Sequence, residues 1–194
     1  MTAIKNRIAI LASGNGSNAE EIMTYFKGHS SIEVALVLSN NADAFVLQRS
    51  SRLNIPFKVF NRIQFRESDE VVNWLKEAHI THVVLAGFLW LVPIPLIKAF
   101  PHRIVNIHPA LLPKFGGKGM YGLKVHEAVK AAGEKETGIT IHAVNEKYDE
   151  GKMLFQTSCL ITLADSSTDI AAKVNQLEYK HYPAVIEKWI TSSK

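Results

Sequence analysis

Two polar side chains at the end of an apolar run carry the clearest chemistry in the chain: Asn106 and His108, in Asn106-Ile107-His108-Pro109-Ala110-Leu111-Leu112-Pro113. Side chains alternate between faces along a strand, so Asn106 and His108 share one face and Ile107 takes the other. Pro109 and Pro113 stiffen the exit and help hold the pair in one geometry. An amide beside an imidazole suits acyl-type transfer: Asn donates to a developing oxyanion, while a protonated His stabilises that charge and can pass a proton to a leaving nitrogen. A histidine taken alone is more often a packed core residue with a satisfied hydrogen bond. A catalytic imidazolium also needs a carboxylate nearby to keep its pKa high. The polar loop Asn145-Glu146-Lys147-Tyr148-Asp149-Glu150-Gly151 offers three candidates. Spacing does not choose among Glu146, Asp149 and Glu150, and a solvated turn would account for all of them.

A second group of residues points to an anion. Ser13-Gly14-Asn15-Gly16-Ser17-Asn18 lies between an apolar run and a helical pattern, where backbone N–H groups converge on a helix N-terminus and can cradle a phosphate. The third glycine of a dinucleotide fingerprint is missing. The next strand ends Leu38-Ser39-Asn40-Asn41, with no acid to hold a ribose. No Gly-Lys-Ser/Thr follows either. A phosphate without a dinucleotide is the better reading, and Ser17 or Asn18 can cap the helix at the same time.

Both groups need a scaffold, and the hydrophobic pattern supplies one. Apolar runs at 7–12, 34–38, 57–60, 82–86 and 103–107 read as strands. Helical patterns lie at 19–27, 44–53, 67–78 and 125–132, and a last long helix covers 168–189, interrupted near Pro183. Segments 138–144 and 153–162 alternate more, as a hairpin or sheet edge would. Strands alternating with helices imply a mostly parallel Rossmann-like sheet with helices on both faces and an antiparallel C-terminal edge. Such a sheet places ligands at the carboxyl ends of its strands, near the topological switch point. The glycines and lysines of Lys114-Phe115-Gly116-Gly117-Lys118-Gly119-Met120-Tyr121-Gly122 suit a mobile lid.

Bulk properties set the outer bounds. The 194 residues suit one α/β domain over 1–194, and 47% hydrophobic content can fill its core. No apolar run approaches the roughly 20 residues that cross a bilayer. The opening run leads into the Gly-rich loop without a cleavage site and reads as a first strand, not a signal peptide. Cys159 is the only cysteine, which leaves no intramolecular disulfide and makes the cytoplasm the default compartment. The net charge of +4 is scattered among acidic residues, which argues against nucleic acid and fits small anionic ligands. The eight histidines show no ligand-type clustering, so no metal is expected.

Together the Gly14–Asn18 loop, the Asn106–Pro113 segment and Tyr148-Asp149-Glu150-Gly151 resemble the phosphoribosylglycinamide formyltransferase family of folate-dependent enzymes in purine biosynthesis. The Asn-x-His segment marks folate-dependent formyltransferases in general, and the Gly-Asn-Gly-Ser-Asn loop this family in particular. The resemblance implies 10-formyltetrahydrofolate as donor and 5-phosphoribosyl-glycinamide as acceptor, in a monomer or homodimer acting on small molecules. It implies that Gly16, Ser17 and Asn18 hold the acceptor phosphate and Glu178 its ribose. Asn106 and His108 would flank the formyl carbon, with Asp149 raising the His108 pKa. Leu89, Trp90, Leu91 and Val92 would line the pterin pocket, with Asn106 also on the folate and Arg66 contacting it. Positions 1–100 would then form a phosphate-binding half and 101–194 a catalytic and folate-binding half.

The chain departs from that family's pattern in a longer Lys114–Lys124 loop, with Lys124 where a histidine is common and His126 retained. Glu150 also stands where a glycine is frequent. The roles of Lys114, His126 and His142 stay open. Formyltetrahydrofolate deformylase and methionyl-tRNA formyltransferase share the core but commonly carry a further domain, for which this chain looks too short. A non-catalytic nucleotide-binding module would leave the paired Asn106 and His108 unexplained.

Overall fold

The computed structural model describes residues 5–192. Its strands are β1 (Asn6–Leu11), β2 (Ile32–Ser39), β3 (Phe57–Val59), β4 (His82–Leu85), β5 (Ile104–His108), β6 (Glu136–Ala143) and β7 (Met153–Leu160). Its helices are α1 (Ser17–Tyr25), α2 (Phe45–Arg52), α3 (Arg62–Arg66), α4 (Glu70–Glu77), α5 (Ile94–Ala99), α6 (Leu123–Ala131) and α7 (Ser167–Ser192). One sheet holds all seven strands in the order β3-β2-β1-β4-β5-β6-β7. The first five are parallel, and β6 and β7 run antiparallel at the edge.

Strand alternation divides the core into two layers. Ile8 and Ile10 of β1 join Ile22 of α1, Val129 of α6 and Val174, Tyr182 and Ile186 of α7 on one face. Ala9 and Leu11 join Phe65 of α3, Val71 and Leu75 of α4 and Leu96 of α5 on the other. A strand buried on both faces must be apolar at every position, which is why β1 and β4 read as continuous hydrophobic runs. The chain leaves β1 toward β2 and β3, then returns to β4 and β5 on the opposite side. The carboxyl ends of β1 and β4 therefore flank a crevice at the switch point.

Three features differ from the pattern reading. Helices α3 and α5 have five and six residues, too short for a hydrophobic period to register. An Asn61–Gln64 capping box opens α3, so the helix expected from 67 begins instead at Glu70 as α4. The last helix is not interrupted: α7 runs 26 residues through Pro183. Tyr182, Pro183, Ile186 and Ile190 are all buried against the sheet. Burial of that face outweighs the one backbone hydrogen bond that proline removes. Among the described residues no helix is long and apolar enough to cross a membrane.

Candidate active site

The end of β5 delivers Asn106 and His108 to one cavity, as strand alternation requires. Its antiparallel partner β6 pairs Asn106 with His142 and His108 with Thr140 in register. Asn106 Nδ2 lies 3.2 Å from His142 Nε2. His142 Nδ1 lies 3.0 Å from the Ala143 carbonyl oxygen, which can only accept, so Nδ1 carries the hydrogen and Nε2 can accept from Asn106. Thr140, buried, donates to the Ala110 carbonyl and accepts from Leu112 N–H, which fixes the chain just past His108.

Asp149 comes from the β6–β7 connection, and of the three loop carboxylates it is the one brought inward. Its Oδ2 lies 3.6 Å from His108 Nδ1 and its Oδ1 3.5 Å from His142 Nε2. Glu146 is exposed and Glu150 pairs with Lys147 at the surface. Asp149 sits at φ 55°, a left-handed conformation that Asp tolerates better than most residues. Gly151 permits the approach: a Cβ there would overlap the Ala143 carbonyl oxygen. The Asp149 carboxyl falls below its ordinary value. Burial opposes this, but the neighbouring His142 and His108 rings and the Gly117 N–H outweigh it.

His108 is 3% exposed. Burial pulls its pKa below the ordinary histidine value, and neighbouring His142 adds to that; Asp149 and the Phe115 carbonyl push the other way. Asp149 thus acts on His108 in the expected direction, but burial wins in this structure. Nε2 lies 2.7 Å from the Phe115 carbonyl oxygen and Nδ1 faces the Asp149 carboxylate. With the Nε2 hydrogen given to Phe115, Nδ1 carries a hydrogen toward the carboxylate only in the imidazolium form.

Phe115 belongs to the Lys114–Gly122 loop, which folds over the site. Gly117 N–H donates to Asp149 Oδ2 at 2.9 Å, so the loop is fastened to both His108 and Asp149. His126, on the first turn of α6, is buried and lines the cavity, and its Nδ1 has no hydrogen-bond partner. Burial and the charge of His108 lower its pKa. Lys124 is exposed, its Nζ 4.9 Å from the centre of the Tyr121 ring, and Lys114 pairs with Glu134.

The same cavity, about 520 Å³, reaches Asn18 and Glu178. The Tyr182 hydroxyl donates to the Leu85 carbonyl at 2.8 Å, tying α7 to the end of β4. Glu178 lies one turn earlier on the same face and so meets the crevice. Asn18 Nδ2 donates to Glu178 Oε2 at 2.8 Å, leaving Asn18 Oδ1 buried and unpartnered. Burial pushes the Glu178 carboxyl up to about 7, against the hydrogen bond from Asn18. Leu89, Trp90, Leu91 and Val92 line the cavity as well, and Leu89 N–H donates to Ser13 Oγ.

Not every residue that the resemblance implies lies on that wall. Gly16 and Ser17 are outside the cavity lining, in the turn just before Asn18, with Gly16 left-handed at the N-cap of α1. Arg66 is exposed at the end of α3, beyond the lining. Its neighbour Phe65 packs against Phe60, Phe88 and Trp90 behind the Leu89–Val92 segment. His142 is one of three residues, with Lys114 and His126, whose roles the sequence leaves open; its signal is antiparallel pairing opposite Asn106, which exists only once the register is known. Among the described residues no group of three or more His, Cys, Asp or Glu is placed to hold a metal ion.

A model of the formyl transferase family matches residues 6–186. The chain belongs to that family. Curated relatives of the chain include the chloroplastic phosphoribosylglycinamide formyltransferases of Arabidopsis thaliana and Vigna unguiculata, at 39% and 36% identity. These matches cover 94% and 96% of the chain but only 64% and 62% of the plant proteins' own lengths. The Haemophilus influenzae phosphoribosylglycinamide formyltransferase is 35% identical over 97% of the chain and 88% of its own length. Among solved structures, the phosphoribosylglycinamide formyltransferase of Bacillus halodurans superposes with a TM-score of 0.87 at 37% identity, covering 97% of both chains.

Proposed function

We propose that the chain transfers the formyl group of 10-formyltetrahydrofolate to the amine of 5-phosphoribosyl-glycinamide, yielding the N-formyl product and tetrahydrofolate in purine biosynthesis. The observation that carries this reading is the convergence of Asn106, His108 and Asp149 on one cleft that also reaches Asn18, Glu178 and the Leu89–Val92 segment. The relatives bearing that name, at 35–39% identity, support the choice of substrates. In this reading the N-terminal half supplies the phosphate loop, Gly16, Ser17 and Asn18, and the later half the chemistry.

The folate supplies a formyl carbon on N10. Asn106 Nδ2 has two hydrogens; His142 takes one, and the other is left to donate to the oxyanion formed when the amine attacks. His108 donates to the same oxygen or protonates N10 as the C–N10 bond breaks, and the proton lost from the attacking amine restores the ring, once substrate displaces the Phe115 carbonyl from Nε2. The nascent negative charge raises the proton affinity that burial lowers, and Asp149 holds the ring and its charge in place. Leu89, Trp90, Leu91 and Val92 wall the pterin, Arg66 reaches the folate from outside the wall, and Glu178 takes the ribose hydroxyls. The lone Cys159 fits a cytoplasmic enzyme, working as a monomer or homodimer.

The test follows folate absorbance with and without the phosphoribosyl amine, for wild type and His108→Ala. Turnover that needs both substrates and falls by orders of magnitude in the variant supports the reading. Folate consumed equally without acceptor makes the chain a hydrolase and overturns it.

A further inference from the structure

Gly16 is the N-cap of α1, and no side chain caps that end. The Asn15–Gly16 turn that leads into it is held from α2. Val46 N–H donates to the Gly14 carbonyl at 3.2 Å. Arg49 Nε donates to the Asn15 carbonyl at 2.9 Å, and Arg49 Nη2 to Asn15 Oδ1 at 2.8 Å, a two-point grip on one residue. The guanidinium is itself located on its other sides: Nη1 pairs with Glu20 of α1, and the Phe45 ring lies under it with its centre 4.8 Å from Cζ. A Cβ on Gly16 would overlap Val46, so the loop lies flat against α2 with no room to shift toward it.

The grip has a consequence for the amides. A trans peptide is planar, and its C=O and N–H point in opposite directions. Holding the Asn15 carbonyl toward Arg49 therefore turns the Gly16 N–H away from α2. Val46 does the same to the Gly14–Asn15 peptide. With the Ser17 and Asn18 N–H groups, which have no intrahelical partner in a first turn, this leaves a set of donors at the positive end of α1. Planar guanidinium geometry makes the two-point grip, and a lysine supplies one donor point where arginine supplies the fork. We infer that Arg49 is a positioning residue for the acceptor phosphate: it does not touch the ligand but sets the peptide planes of the Asn15–Gly16 turn that receive it.

This inference rests on the proposed acceptor, and the test separates the two. Steady-state constants for the phosphorylated amine and the folate are measured for wild type, Arg49→Ala, Arg49→Lys and Arg52→Ala. Competition by inorganic phosphate and melting temperature are recorded for each. Arg52 pairs with the same Glu20 at 2.9 Å and carries the same charge, but it does not hold Asn15, so it controls for the field alone. Arg49→Ala should raise KM for the phosphorylated amine and the inhibition constant for inorganic phosphate roughly 10- to 100-fold, the usual worth of ordered charge-assisted bonds. The folate KM should move less than about threefold, with Arg49→Lys intermediate and Arg52→Ala within about twofold of wild type. Equal effects of Arg49→Ala and Arg52→Ala would reduce Arg49 to a background charge. An Arg49→Ala enzyme with unchanged amine KM would overturn the inference while leaving the transferase reading intact; a wild type that transfers nothing to the amine would overturn that reading instead. If Arg49→Ala does not fold, Arg49→Lys carries the comparison, and an amine KM equal to wild type there overturns the inference.

Discussion

Replacing Asp149 by Asn removes one negative charge from between two imidazoles while keeping the side chain's shape. Its Oδ2 is 3.6 Å from His108 Nδ1. At an effective dielectric of about 20, a unit pair at that distance attracts by roughly 4 to 5 kcal/mol. Part of that is offset by the cost of burying both groups, and Asn still accepts from Gly117 N–H. If one third to most of the attraction is felt by the imidazolium, its share at neutral pH falls roughly 10- to 1,000-fold, and kcat with it. The direction in pH follows from the sign. His108 already lies below the ordinary value because it is buried, and losing Asp149 pulls it lower. The limb of the kcat profile along which activity is lost as pH rises should therefore move to more acid pH. The assay is folate absorbance at saturating substrates across pH 5 to 9, a range chosen to bracket histidine titration. A variant within about threefold of wild type at neutral pH, or a profile that does not move acid-ward, would refute the role given to Asp149.

Three further outcomes follow from the same geometry. Asn106→Ala should lower kcat roughly 100- to 1,000-fold, as loss of an oxyanion donor does, with melting temperature nearly unchanged; stopped-flow turnover and thermal scans check both. Glu178, raised from 4.5 to about 7, favours the protonated form on folding, so the folded protein is penalised as pH rises through that window. Glu178→Gln should then stabilise the protein by up to about 3 kcal/mol at pH 8 and little at pH 4.5, while raising KM for the amine; urea titrations at the two pH values read the difference. Gly151→Ala drives a methyl into the Ala143 carbonyl and should cost several kcal/mol, visible as a large drop in the urea midpoint.

Strand alternation made the pairing of Asn106 and His108 on one face legible before any coordinates, because β5 is short, buried and regular. The parallel sheet and its antiparallel edge were equally legible from apolar runs giving way to alternating ones. What sequence could not supply was register and depth. His142 becomes part of the site only because β6 runs antiparallel opposite Asn106, a long-range pairing that no local pattern encodes. Among Glu146, Asp149 and Glu150 the choice depends on a left-handed turn and on the close approach at Gly151. Pro183 misled for a related reason: a local breaker lies in a helix whose buried face holds it together. Burial also set the state of His108. The carboxylate beside it was expected to keep its pKa high, but a side chain 3% exposed loses more to desolvation than that neighbour returns.

The most direct test is to follow an isotopically labelled formyl carbon from the folate to its destination. The label should appear on the glycinamide nitrogen only when both substrates are present, and His108→Ala should slow its arrival by orders of magnitude. Label released as free formate at the same rate with and without the amine would contradict formyl transfer at this site.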